Sequence, residues 1–214
     1  VAVTNKVRLQ RGEGFSLTQN VKAKVTCVAP AFTQYLYMSG DANGWSFSNP
    51  LYSPDADGKY TGFMYLNQNG FKFATQQDWN GTDYGEGLVE KGGNIVMTEP
   101  EGFYKVDVDL TSQALTYTAI NRVGVIGSAT AGGWDSDQAM TYNATDKCWE
   151  IKGITLIEGE MKFRANNAWE LDWGGSLADI TYKGGNIKVA AGKYNIKLYL
   201  LCDTKSHCTM EVAP

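Results

Sequence analysis

One stretch of sequence occurs twice in this chain of 214 residues. Residues 71–85 read FKFATQQDWNGTDYG, and residues 161–175 read MKFRANNAWELDWGG. Both copies place a lysine between two apolar residues, a tryptophan seven residues later, and then Asp-aromatic-Gly. Because ordered matches extend over roughly 85 to 90 residues, each copy is too long for a solenoid repeat and is interpreted as a domain.

The matching positions set the domain boundaries. They are Gly40 with Gly127, Trp45 with Trp134, Lys72 with Lys162, Trp79 with Trp169, and the GGNI at 92–95 with that at 184–187. We predict a first module over residues 31–120 and a second over residues 121–214. Residues 1–30 have no counterpart in either copy and are predicted to be a leader strand, the end of a preceding domain.

Period-two alternation predicts the fold class. In YKVDVDL, Val106, Val108 and Leu110 face one side and the charged residues the other, and YNIKLYL repeats the pattern with Ile196, Leu198 and Leu200. This alternation is typical of half-buried strands. Many such runs joined by Gly-rich turns predict an all-β protein of two tandem antiparallel β-sandwich (immunoglobulin-like) modules.

Charge and cysteine usage exclude several functions. The net charge of −4 argues against nucleic-acid binding, which usually needs a basic face. The four cysteines show no zinc-ligand spacing and His207 is the only histidine, so we expect no metal and no cofactor. Cys202 and Cys208 flank a predicted hairpin loop, and both a disulfide and two half-buried thiols fit that position.

The repeated tryptophans and lysines are candidates for a binding surface. Lys72 and Lys162 alternate with core residues and should face solvent. Trp45 and Trp134 either cap the open end of a sandwich or are exposed for a ligand. Trp79 and Trp169 either fold back onto the core or are exposed for a ligand. Aromatic rings suit the apolar C–H face of a pyranose, while Lys, Arg and Asn suit its hydroxyls. Two tryptophans at an angle would fit a curved glucan.

These motifs resemble starch- and glycogen-binding β-sandwich modules. The order of NGWS at residues 43–46, the FKF strand, Trp79 and GGNI is similar to that in the glycogen-binding domain of the AMP-activated kinase β subunit. The Asp-aromatic-Gly and the tandem arrangement resemble the SusE/SusF family of outer-membrane starch-binding lipoproteins. The resemblance covers roughly residues 33 to 213. It implies that residues 1–30 hold the last strand of a preceding immunoglobulin-like domain.

The resemblance implies one α-glucan site per module. The implied residues are Trp45, Lys72, Trp79 and Asn94 in the first module, and Trp134, Lys162, Trp169 and Asn186 in the second. For the two asparagines a structural role is the alternative, because the backbone conformation of a GGN turn by itself favours glycine and asparagine. Tyr84 and Trp173 either widen each platform or belong to the core. Arg164 has only Ala74 as its counterpart, so we expect the second module to bind more strongly.

The sequence argues against catalysis. A glycosidase needs two carboxylates, but only Asp83 and Asp172 recur, one in each copy and each at a natural turn position. The resemblance implies a location at the outer membrane on the cell surface, through a lipid anchor. It implies starch, amylopectin and malto-oligosaccharides as partners, together with other outer-membrane starch-utilisation proteins. The alternative function is a protein–protein scaffold of a glycan-uptake complex, with the aromatics as interface anchors.

Overall fold

The computed structural model describes residues 3–7, 17–21 and 31–214, which fall into two compact units, 1–30 and 31–214. In the first unit, β1 (Val3–Val7) and β2 (Leu17–Val21) pair antiparallel, with Val3 opposite Val21. The rest of the predicted leader, residues 1–2, 8–16 and 22–30, lies outside the described residues.

The first repeat forms one antiparallel sheet of seven strands, in the order β7-β6-β3-β4-β5-β8-β9. Two short 3-10 turns, Asp41–Asn43 and Glu86–Leu88, interrupt it. The strands are β3 (Tyr35–Gly40), β4 (Asn49–Tyr52), β5 (Lys59–Leu66), β6 (Phe71–Ala74), β7 (Asp83–Tyr84), β8 (Gly102–Asp109) and β9 (Ala114–Ala119).

The second repeat forms two antiparallel sheets. One contains β12-β13-β18-β19, and the other contains β11-β10-β14-β15-β16 with β17 added to β14. The strands are β10 (Val123–Ile126), β11 (Gln138–Ala139), β12 (Thr141–Asn143), β13 (Cys148–Leu156), β14 (Gly159–Ala165), β15 (Asp172–Ser176), β16 (Asp179–Tyr182), β17 (Ile187–Val189), β18 (Gly192–Tyr199) and β19 (His207–Val212). Residues 31–214 contain no α-helix, so the all-β prediction is confirmed.

The repeated motifs occupy equivalent places in the two sheets. Strand β6 lies between β3 and β7 as β14 lies between β10 and β15. The GGNI segments also correspond, since Ile95 bridges Phe71 and Ile187 pairs with Met161. The backbone geometry therefore carries the same internal repeat as the sequence.

Close backbone contact explains the glycine of Asp-aromatic-Gly. A Cβ placed on Gly85 would lie 2.1 Å from the carbonyl oxygen of Gly93, and one on Gly174 would lie 1.9 Å from that of Gly185. No other residue fits there, because such distances are far inside van der Waals contact. The motif and the GG of GGNI are thus two halves of one packing contact.

The two repeats share a hydrophobic core. Phe63, Phe103 and Ile120 of the first repeat belong to the cluster of buried residues that fills the second. Phe63 meets Trp173 edge to face, with ring centroids 5.1 Å apart, and its backbone N–H donates to the carbonyl oxygen of Leu201 at 2.5 Å. This shared packing accounts for the single compact unit formed by residues 31–214.

The cysteine pair that left two interpretations open is present as free thiols. Cys202 is 0 % exposed and lies in the loop after β18, whereas Cys208 in β19 pairs with Leu198. Both are more deeply buried than the half-buried thiols expected from the sequence. Burial raises the pKa of each thiol to about 12. In the described part of the chain, no helix has the length and apolar character needed to cross a membrane.

Candidate functional site

Burial separates the six tryptophans of the chain into two groups. The four that recur between the copies, Trp45, Trp79, Trp134 and Trp169, are 37 to 45 % exposed. The two that do not match each other, Trp149 and Trp173, are buried. Exposure of a large aromatic ring is costly in water, so its coincidence with the repeated positions points to a binding surface.

An ion pair beneath each tryptophan also recurs. The ammonium of Lys72 pairs with Asp83, and that of Lys162 pairs with Asp172. Strand register explains the pairing, since Asp83 lies opposite Ala74 and Asp172 opposite Arg164, on the same sheet face as the preceding lysine. The repeated aspartates are therefore more than turn residues, because they fix the lysine ammonium groups.

Each fixed ammonium lies at the same distance from its tryptophan. Lys72 Nζ is 5.9 Å from the ring centroid of Trp79, and Lys162 Nζ is 6.0 Å from that of Trp169. This separation is at the outer limit of a cation–π interaction. The arrangement places a hydrogen-bond donor beside an exposed aromatic face twice in the molecule.

A strained turn presents Trp45 in the first repeat. Its φ of 58° lies in the left-handed region, directly after Gly44 at 66°, and costs a non-glycine residue about 1 kcal/mol or more. Asn43 holds the turn: its side-chain amide donates to the carbonyl oxygens of Met38 at 3.0 Å and Ser46 at 2.8 Å. The turn is fixed before any ligand arrives.

The two repeats support their second tryptophan differently. In the first, Phe47 packs edge-on against Trp79, with ring centroids 4.8 Å apart. In the second, Trp134 itself lies against Trp169, at 6.1 Å between centroids and 41° between planes. The second repeat therefore has two adjoining tryptophans at an angle, the shape predicted for a curved glucan.

Arg164 adds a support that the first repeat lacks. Its guanidinium carbon lies 4.7 Å from the Trp169 ring centroid, and its Nε donates to Asp137 at 2.7 Å. Asp137 lies three residues after Trp134, so this ion pair links the loop of one tryptophan to the strand beneath the other. Arg164 is only 7 % exposed. It holds the platform in place from below and presents almost no surface to a ligand.

Asp172 has a second lysine partner. Lys183 Nζ lies 2.7 Å from the other carboxylate oxygen of Asp172 and also donates to the backbone carbonyl of Trp169. Among residues 31–214, Asp83 pairs with one lysine, Lys72. The second site is therefore more strongly cross-linked than the first.

The two predicted asparagines lie beside the lysines. Ile95 bridges Phe71 and Ile187 pairs with Met161, so Asn94 and Asn186, one residue earlier, adjoin the lysine positions. Both asparagines are exposed. The Asn186 amide donates to Glu160 at 2.8 Å.

Tyr84 and Trp173 occupy the second of the two positions left open for them, against the core. They lie opposite the core residues Phe73 and Phe163, on the sheet face away from the lysines. Trp173 is 0 % exposed because Phe63 of the other repeat covers it. Tyr84 is half-buried against the first-repeat core, and burial raises its pKa.

Sequence reasoning missed Asn43, Phe47, Asp137 and Lys183 as supports of the platforms. Asn43, Phe47 and Asp137 have no matching residue type in the other copy, so the repeat gave no signal for them. Lys183 matches Lys91, so it did carry a signal. Asp83 and Asp172 did carry a signal, since they recur, but their lysine partners are ten or eleven residues away and were identified only from strand register.

One cluster in residues 31–214 could bring metal ligands together. Ligand atoms of Asp146, Cys148 and Glu150 lie within 4.8 Å of one another. Lysines already neutralise both carboxylates, with Lys197 Nζ 2.5 Å from Asp146 and Lys152 Nζ 3.3 Å from Glu150. The cluster is explained as a surface charge network without an ion.

The described part of the chain thus presents exposed tryptophans beside fixed polar groups on an all-β scaffold. Comparison with known families agrees: the family described as SusF/SusE starch specific CBMs (carbohydrate-binding modules) matches residues 35–118. The resemblance found in the sequence is confirmed over that part of the chain, which contains the whole Trp45–Lys72–Trp79 site. No curated protein matches the chain significantly.

Proposed function

We propose that this protein binds starch and malto-oligosaccharides without catalysis, through one aromatic-plus-lysine site in each of two tandem immunoglobulin-like β-sandwich modules. The family matched by residues 35–118 supports the ligand class. The observation that carries the proposal is the exposure of the four repeated tryptophans, while the other two are buried.

In each site the tryptophans and the polar residues have separate roles. In the first module, Trp45 and Trp79 stack on glucose rings, and Lys72 and Asn94 hydrogen-bond the hydroxyls. In the second, Trp134 and Trp169 stack, and Lys162 and Asn186 take the hydroxyls, while Arg164 holds Trp169 from below. Asp83 and Asp172 position the lysines. Because these ion pairs already fix the lysine ammonium groups, the groups lose little conformational entropy when a ligand binds.

Two weak sites suit a polymer. A single site with a dissociation constant of about 10 µM to 1 mM, or roughly −4 to −7 kcal/mol, gains avidity when a second site engages the same chain. The matched family also supports a location at the cell surface, where such avidity would retain starch. The lipid anchor and an assembly with other outer-membrane starch-utilisation proteins belong to this proposal.

Calorimetric titration with maltoheptaose tests the proposal. The variants are Trp45→Ala, Trp134→Ala and the double variant, with Val96→Ala as a control because Val96 is exposed outside both sites. Each single variant should lose one site, the double variant both, and the control neither. If wild-type protein gives no heat and migrates unretarded in a gel containing amylopectin, glucan binding is wrong and the scaffold function becomes the better explanation.

A further inference from the structure

A cleft between the two repeats has the features of a sugar site that neither repeat carries alone. A cavity of about 470 Å³ is lined by Tyr65 and Glu101 from the first repeat and by Tyr142 and Lys147 from the second. A second cavity of about 230 Å³ shares both tyrosines and extends to Trp149. The larger cavity alone is within the range of small-ligand pockets, which begins near 300 Å³.

The walls of the cleft are rigid aromatic rings. Tyr65 and Tyr142 are stacked across the boundary between the repeats, with ring centroids 5.6 Å apart and planes within 4°. Tyr142 also packs on Phe103 and Trp149, at 5.3 and 5.4 Å. Rings held in this way offer an apolar surface to the C–H face of a sugar and lose little entropy on binding.

The cleft also contains polar groups without partners among residues 31–214. One carboxylate oxygen of Glu101 accepts the Tyr65 hydroxyl at 2.5 Å, and the other has no partner. The Tyr142 hydroxyl makes no side-chain hydrogen bond, and Lys147 makes no ion pair in this part of the chain. These groups supply one acceptor and two donors to a ligand.

Trp149 lines the smaller cavity with part of its ring. Its side chain is 6 % exposed, and its indole N–H is fully covered and has no acceptor among the described residues. The ring packs on Tyr142, so the Trp149 indole signal reports on any ligand that displaces that tyrosine.

We propose that this cleft is a third carbohydrate site, which binds a hexopyranose unit of an α-glucan against the Tyr65–Tyr142 stack, with the free carboxylate oxygen of Glu101 accepting from a sugar hydroxyl. The choice of an α-glucan rests on the proposed function. The turn that presents Trp45 also lines the cleft through Ala42 and Ser48, so the cleft adjoins the first-module platform.

Maltose titration monitored by NMR tests the cleft separately from the platforms. Protein labelled with ¹³C in tyrosine rings and ¹⁵N in tryptophan indoles reports both places, in the wild type and in the Trp45→Ala/Trp134→Ala variant. We expect Tyr65, Tyr142 and Trp149 signals to shift saturably in both proteins.

Three further variants test which groups of the cleft bind the sugar. Glu101→Gln keeps an acceptor for Tyr65 but removes the charge, and should weaken cleft binding about fivefold. Tyr142→Phe removes only a hydroxyl and should also weaken it. Glu158→Gln, exposed and away from the cleft, should leave it unchanged.

The outcomes distinguish this inference from the proposed function. Shifts of Trp45, Trp79, Trp134 and Trp169 without shifts of Tyr65 and Tyr142 would overturn the cleft site and leave the platforms standing. Shifts in the cleft alone would support the cleft and contradict the platforms. No shift at any of these signals would reject both.

Discussion

Arg164 lies beneath Trp169, with its guanidinium carbon 4.7 Å from the ring centroid, while its Nε donates to the buried Asp137. The ion pair and the stacked ring form one unit that sets the angle between Trp134 and Trp169. The first repeat has Ala74 at this position. This difference makes the two sites unequal in a testable way.

Arg164→Ala should therefore affect both binding and stability. It removes the support of Trp169 and leaves Asp137 buried without its cation, so the free energy of unfolding should fall by about 3 kcal/mol. In a Trp45→Ala background, where only the second site binds, maltoheptaose affinity should fall several-fold by calorimetry. Adding Asp137→Leu should recover much of the stability but not the affinity. Equal recovery of both would mean that Arg164 acts on folding alone.

Asp172→Asn and Asp83→Asn should differ in effect. Asp172 holds both Lys162 and Lys183, whereas Asp83 holds Lys72. An asparagine keeps the shape but loses the charge-assisted hydrogen bonds, so each change should cost about 1 to 3 kcal/mol of stability. The loss should be larger for Asp172. Urea unfolding compares the two variants, and a larger loss for Asp83 would contradict the described ion pairs.

Trp173→Phe and Trp169→Phe form a matched pair four residues apart. Trp173 is fully buried against Phe63, so its replacement leaves a cavity and should cost about 1 to 3 kcal/mol of stability. Trp169 is exposed, so its replacement should leave thermal unfolding nearly unchanged and weaken second-site binding. Calorimetry and thermal melts of both variants check this. If Trp169→Phe lowered stability and Trp173→Phe weakened binding, the assignment of Trp173 to the core and Trp169 to the site would be wrong.

Phe63→Ala should reveal the coupling between the repeats. Phe63 belongs to the first repeat but packs in the core of the second. Wild-type residues 31–214 should unfold in one transition, because the core of the second repeat is completed by Phe63, Phe103 and Ile120 of the first. The variant should lower the melting temperature by several degrees and broaden or split the transition in scanning calorimetry. Two transitions already present in the wild type would show that the repeats unfold independently.

The buried thiols should be unreactive in the native state. Burial raises the pKa of Cys202 and Cys208 to about 12 from an ordinary value of 9.0, so both stay protonated at pH 8. Iodoacetamide should label them only after unfolding, as mass spectrometry of each peptide can measure. The thiols ionise near pH 9.0 in the unfolded chain but near pH 12 in the folded protein. The free energy of unfolding is therefore unaffected by their ionisation below about pH 9. Between about pH 9 and pH 12 it falls progressively, because only the unfolded chain loses these protons. Rapid native labelling at pH 8 would contradict their burial.

The sequence predicted the parts of the site that repeat. Alternation in FKF and MKF placed Lys72 and Lys162 on the face opposite the core, where the structure has them. Their side chains are only 18 and 14 % exposed, so they do not stand free in solvent as the sequence suggested. It did not reveal that Asp83 and Asp172 bind these lysines. That contact depends on which residues of two neighbouring strands stand opposite each other, and a single chain pattern does not specify this register.

Trp173 shows most clearly what could not be predicted from the sequence. By sequence it is one more aromatic residue after an aspartate, and both a platform and a core position fitted it. Phe63, 110 residues earlier in the chain, covers it in the structure.

The sequence by itself determined the all-β class, the internal repeat and the pairing of each lysine with a tryptophan, because these follow from local periodicity. Only the tertiary structure decided which aromatics are covered, that Arg164 acts from below, and that a cleft forms between the repeats. Each of these depends on contacts between segments far apart in the chain.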